Sequence, residues 1–143
     1  MAYAAAVDLQ ARYPQTRLAE LSDPDGAAIQ EAKLTTALAD ASAEMDGYLG
    51  RRYSLPLPQV PPVLQRTACD IAIYRLMSLL PKETVADARR RYEDAIEWLA
   101  DLADGRIKLA DLDGQELATG NTSRIASTTA PRVFSSDTLG AFR

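Results

Sequence analysis

The chain has 143 residues, 47% of them hydrophobic and 25% charged, with a formal net charge of −4, a composition that suits one globular domain with its own core. It holds no histidine and a single cysteine, which removes the commonest general base and metal ligand and leaves no intrachain disulfide or cysteine-based metal cluster. No apolar run approaches the ~18 residues that span a bilayer, and the start from Met1 to Val7 lacks the basic and long apolar regions of a signal peptide, so a soluble protein made in a cytoplasm, with no membrane partner, is expected.

A short first helix is predicted from Ala4 to Tyr13, with Val7, Leu9 and Tyr13 as a modest apolar face and Pro14 as its stop. Leu18 and Leu21 then lead into Ser22-Asp23-Pro24-Asp25-Gly26, which suits a type I turn beginning at Asp23. As a calcium loop with its glycine at Gly26, the stretch would end at Ala32, where a bidentate Glu is required. Metal binding is therefore not expected there.

The second helix is predicted over Ala28–Leu49. Leu34, Leu38, Ala41, Met45 and Tyr48 fall on one stripe, Asp40, Glu44 and Lys33 on other faces, and Gly50 stops it. Four prolines (Pro56, Pro58, Pro61 and Pro62) then make the connection from Arg51 an extended one, whose leucines and Val60 pin it to the body. A proline-rich ligand for a recognition domain is the alternative reading of this stretch.

The third helix, Pro62–Leu80, carries only Arg66, Asp70 and Arg75 as charges and is apolar in nearly every direction. Such a helix is buried on several sides, either by its own chain or partly by another subunit. An Arg66–Asp70 pair four apart would lower the cost of burying either charge. Cys69 lies in the apolar run Ala68–Ala72 and reads as a buried structural thiol. Catalysis by Ser–Lys or by paired carboxylates finds no motif, and no enzyme activity is expected.

The fourth helix is predicted over Glu83–Asp104, with Val85, Ala88, Tyr92, Ala95, Leu99 and Leu102 on one stripe. Tyr92 and Trp98 are expected to pack it against the second and third helices. The arginine run Arg89–Arg91 has acidic residues four positions on, so Arg89–Glu93 and Arg90–Asp94 pairs on a solvated face are expected, worth a few tenths of a kcal/mol each. Residues 1–104 carry 11 Lys/Arg against 16 Asp/Glu, a balance of −5, which argues against a phosphate-binding surface.

The sequence thus divides into a helical body, 1–104, and an extended C-terminal arm, 105–143. The arm is rich in Gly, Ser and Thr, and its end holds both phenylalanines of the chain. Arg132, Val133, Phe134, Leu139 and Phe142 are the candidate partner-binding residues, because a polar linker ending in aromatic and aliphatic anchors resembles a segment that orders on a partner. A tail folded back on its own helices is the alternative.

Three stretches taken together resemble a known family. They are Ala39–Leu49 with Arg52-Tyr53; Leu55-Pro56-Leu57 through Val60-Pro61-Pro62 and Cys69–Ala72; and Arg91–Ala95 with Trp98-Leu99. Pro131-Arg132-Val133-Phe134 with Asp137, Leu139 and Phe142 continues the likeness. The pattern resembles the Mu-like phage and prophage head–tail connector (adaptor) proteins. The resemblance implies an all-α subunit: a small bundle of three long helices and a short N-terminal one, without cofactors. It implies a homo-oligomeric ring of twelve copies below the portal protein, at the head–tail interface of the virion, meeting tail-side proteins. It further implies that the arm reaches a neighbouring subunit or the portal, while genomic DNA passes through the ring unbound. A helical DNA-binding or regulatory module using Arg51, Arg52 and Arg89–Arg91 is the competing expectation, and steep salt dependence would mark it.

Overall fold

In the computed structural model the described residues are 1–23, 25, 28–80, 85–110, 116–117 and 119–120. Five helices follow one another: α1 (Ala6–Arg12), α2 (Gln15–Ser22), α3 (Glu31–Leu49), α4 (Pro62–Ser78) and α5 (Ala86–Asp104). The three long helices pack pairwise, and α1 and α2 lie against α3 and α4. The chain is all-α, and among the described residues the only extended pairings are two isolated bridges, Tyr53 with Thr119 and Ala110 with Glu116.

The first departure from expectation is α2. Pro14 does stop α1, but it also opens the next helix as its N-cap, with φ −57°, because proline's fixed φ and missing N–H suit a helix start. Leu18, Ala19, Leu21 and Ser22 then share a buried face. The Ser22 hydroxyl accepts the Gln30 N–H at 2.9 Å and donates to the Ala19 carbonyl at 3.3 Å, tying the end of α2 to the start of α3. In α1, the Asp8 carboxylate accepts the Ala5 N–H at 2.8 Å, satisfying one of the donors a helix start leaves open.

α3 buries the expected stripe, Leu34, Leu38, Ala41 and Met45, together with Ala37, Ser42 and Leu49, while Tyr48 is half-buried. α4 is the centre of the molecule. Leu64, Ala68, Cys69, Ile71, Ala72 and Ile73 are all at or near zero exposure, and its neighbours are α3, α5, α1 and α2. Its own chain therefore covers most of it, while Leu79 at its end stays 78% exposed. The Arg66–Asp70 pair does not form among the described residues. Asp70 instead accepts the Tyr13 hydroxyl at 3.2 Å, since its side of α4 faces the end of α1, and Arg66 stands exposed.

α5 buries Ala88, Ala95, Leu99 and Leu102, and the four residues before Val85 lie outside the described ones. Tyr92 and Trp98 are partly buried and pack on the core from its edge rather than within it. The helix ends at Gly105, whose φ of +78° is the left-handed conformation that glycine adopts without a Cβ penalty. Arg106 N–H returns to the Asp101 carbonyl at 2.9 Å. The proline-rich connection is seated as expected, with Tyr53 and Leu57 buried and Leu55 and Val60 packed against the core.

Candidate functional site

The described part of the stretch after Gly105 does not stand away from the body. Leu109 and Leu117 join the core at 2% and 7% exposure. The Tyr53 hydroxyl accepts the Leu109 N–H at 2.9 Å, and Leu117 N–H meets the Leu109 carbonyl at 2.9 Å. Gly120 N–H then meets the Arg52 carbonyl at 3.0 Å. Glu116 pairs with Lys108 at 2.8 Å and lies 3.9 Å from Arg52. The result is a strap laid across the end of the bundle, over the connection that leaves α3.

Two glycines are favoured there, Gly105 by its positive φ and Gly120 by a close approach to backbone. A Cβ on Gly105 would lie 1.9 Å from Nη1 of Arg52, and one on Gly120 would lie 2.0 Å from Oγ of Ser54 and 2.7 Å from its backbone nitrogen. The Ser54 backbone cannot give way as a flexible side chain can, so glycine is needed at 120 for this close approach. The candidate partner-binding residues Arg132, Val133, Phe134, Leu139 and Phe142 all lie beyond that point and outside the described residues.

A second cluster joins the three long helices. Glu44 on α3 accepts from Arg75 on α4 at 2.7 Å through one oxygen and from the Tyr92 hydroxyl on α5 at 2.8 Å through the other. The Tyr92 ring stacks on Tyr74, with centroids 4.4 Å apart and planes 20° from parallel. Burial, then the hydrogen bond to Glu44, push the Tyr92 hydroxyl up to about 12. Burial, then the Asp70 charge, do the same for Tyr13, also to about 12.

The sign of the pH effect follows. In the folded state both phenols keep their protons above the ordinary value of about 10, whereas the unfolded chain releases them there. Their contribution is complete below pH ~10 and is lost as pH rises through about 12. Denaturant midpoints should therefore fall across that window, and an ultraviolet titration should show three tyrosines ionising late, Tyr3 being held up as well by its burial and its hydrogen bond to Asp46. If all six tyrosines titrated together near pH 10, neither contact would exist in solution.

Cys69 is fully buried, and burial pushes its thiol up to about 11, the opposite of what a nucleophile needs. Among the described residues no three of His, Cys, Asp and Glu come together to hold a metal ion, and no helix is long and apolar enough to cross a membrane. The arginine run divides. Arg89 pairs with Glu93 at 2.8 Å, but Arg90 and Asp94 stay exposed and unpaired among the described residues, where such a pair contributes little. Arg91 turns toward a groove of 510 Å³ between α4 and α5, lined by Arg66, Thr67, Asp70, Asp94, Ala95 and Trp98 as well.

The family described as Bacteriophage Mu, Gp36 matches residues 3–127, a span that takes in all five helices and the strap. The chain belongs to the Mu Gp36 family. Gene product J of Escherichia phage Mu is 43% identical over 108 residues, covering 74% of each chain. The Mu-like prophage FluMu protein gp36 of Haemophilus influenzae is 46% identical over 94 residues, 65% of this chain and 64% of its own. The family match stops before the residues singled out as anchors, so they remain particular to the reading of this sequence, while the Gp36 likeness takes in the strap that leads to them.

Proposed function

We propose that this Gp36-family protein is a structural, non-enzymatic subunit of the phage particle, a head–tail connector. It forms a ring, of twelve copies, below the portal and joins the DNA-filled head to the tail-side proteins. Membership of the Mu Gp36 family supports the phage setting. The observation that carries the rest is the division of labour along the chain. A helical body carries its strap as far as Gly120, and residues 121–143 hold both phenylalanines. Aromatic anchors dominate interface energy when they fill pockets on a partner, and a linker raises the effective concentration of the second contact once the first has formed.

The charge balance of the body suits the same role. At −5 over residues 1–104, a wall of such subunits repels phosphate and lets DNA pass without holding it. The test is a phage lacking this protein. Electron microscopy should show heads filled with DNA and complete tails, unjoined. Empty heads would move the function to packaging, and joined, infectious particles would remove the connector role altogether.

A further inference from the structure

A second groove, of 510 Å³, lies between α3 and α4 at the end of the bundle where α3 begins and α4 ends. Its lining is mainly apolar: Leu21 of α2, Ala37 of α3, Leu76 of α4, and Leu79 and Leu80 just beyond α4. Leu79 is exposed and Leu80 half-buried, so the groove opens to solvent as a connected apolar surface rather than as one stray leucine.

Charge narrows what fits it. Residues 21–40, which supply its α2 and α3 walls, carry Asp23, Asp25, Glu31 and Asp40 against Lys33 alone, a balance of −3. Arg75 on the α4 wall is already held by Glu44 at 2.7 Å. The complementary occupant is an apolar segment with basic residues beside its anchors. Residues 121–143 have that chemistry. Ile125, Val133, Phe134, Leu139 and Phe142 stand among Arg124, Arg132 and Arg143, with Asp137 as the single acid, a balance of +2.

The two surfaces belong to opposite ends of the body. Gly120 N–H meets the Arg52 carbonyl just past the end of α3, whereas the groove lies where α3 begins, and a helix of 19 residues is about 28 Å long. The 12 residues before Val133 reach up to ~40 Å when extended, enough to pass from one subunit to the next.

We propose that the α3–α4 groove receives residues 131–143 of a neighbouring copy, with the phenylalanines against its leucines and the arginines beside its acidic walls. Such a contact joins unlike surfaces, and repeated contacts of that kind generate a ring when the rotation closes. The proposal rests on the connector reading, whose ring needs a contact of this type, and it gives the arm its receiving site.

The purified full-length chain tests it apart from the particle. Thr36 lines the groove, Ala141 precedes Phe142, and Cys69 is fully buried and stays out of the reaction. Thr36→Cys in one chain and Ala141→Cys in another, mixed at ~0.5 mM and treated with a short bismaleimide, should give a cross-linked heterodimer. Leu79→Asp in the first chain should cut its yield at least about tenfold with unchanged circular dichroism, and Leu79→Met should keep most of it. No heterodimer, or one that Leu79→Asp leaves undiminished, would overturn the proposal. So would a cross-link formed only within a single chain carrying both cysteines, which would place the arm in its own groove. Each of these failures leaves the connector role standing, because the phage lacking this protein decides that role separately.

Discussion

Removing residues 130–143 is expected to leave a soluble, helical, cooperatively folding protein that no longer joins its assembly partner. The contacts seen among the described residues all lie before that cut: the stripes of α3, α4 and α5, the Glu44 cluster, and the strap with Leu109 and Leu117 in the core. Circular dichroism and the thermal midpoint should be unchanged, while a particle-assembly assay should fail. Phe134→Ala together with Phe142→Ala should reproduce most of the failure. Cutting after Asp104 is a different experiment. It also strips two buried leucines from the core, each contributing about 1.5–3 kcal/mol, and it should lower the midpoint as well as abolish assembly. If the cut at 130 unfolded the body, the last residues would be an intramolecular strap. If assembly survived it, the helical faces alone would carry the contacts.

Leu99→Ala should have one of the two largest effects on stability among single truncations in α5, with Leu102→Ala the other. Leu99 is at 0% exposure within the cluster formed by α3, α4 and α5. The loss combines the transfer term for the deleted carbons with the cavity that the surrounding helices fail to close, about 2–5 kcal/mol. Set against the 5–15 kcal/mol that separates most native domains from their unfolded states, that removes a large share of the total. In a urea titration the midpoint should move while the slope stays constant. Leu79→Ala is the control, since Leu79 is 78% exposed and its truncation should cost less than about 0.5 kcal/mol. A loss at Leu99 no greater than at Leu79 would mean that α5 does not pack as described.

The long helices were legible because their apolar residues repeat at helical spacing: Leu34, Leu38, Ala41 and Met45 in α3, and Ala88, Ala95, Leu99 and Leu102 in α5, are the residues found buried. α2 was not legible, because eight residues supply only two turns of pattern and its proline reads equally well as an end. The strap was missed for a related reason. Leu109 and Leu117 stand alone among polar residues, and the partner of the Leu109 N–H is the Tyr53 hydroxyl, a contact 56 residues distant in sequence that no local period announces. Glu44 was assigned to a polar face and is instead the acceptor joining three helices. The groove at Trp98 combines residues of two helices, and from the sequence Arg91 belonged with Arg89 and Arg90. Arg132, Val133, Phe134, Leu139 and Phe142 rest on the sequence alone.

The central position of α4 has a consequence for how the subunit opens. Local fluctuations in a folded protein release the segments with the fewest buried contacts first, and the most enclosed segment only when the rest has gone. With α3, α5, α1 and α2 all leaning on α4, α4 is exposed only once its neighbours have come away. Backbone amides of α4 are therefore protected by the full free energy of unfolding, while α1 and the ends of α5 exchange through smaller openings. A subunit of this design passes from native to denatured in one step, and a partner that grips any of its outer helices pulls against the whole molecule.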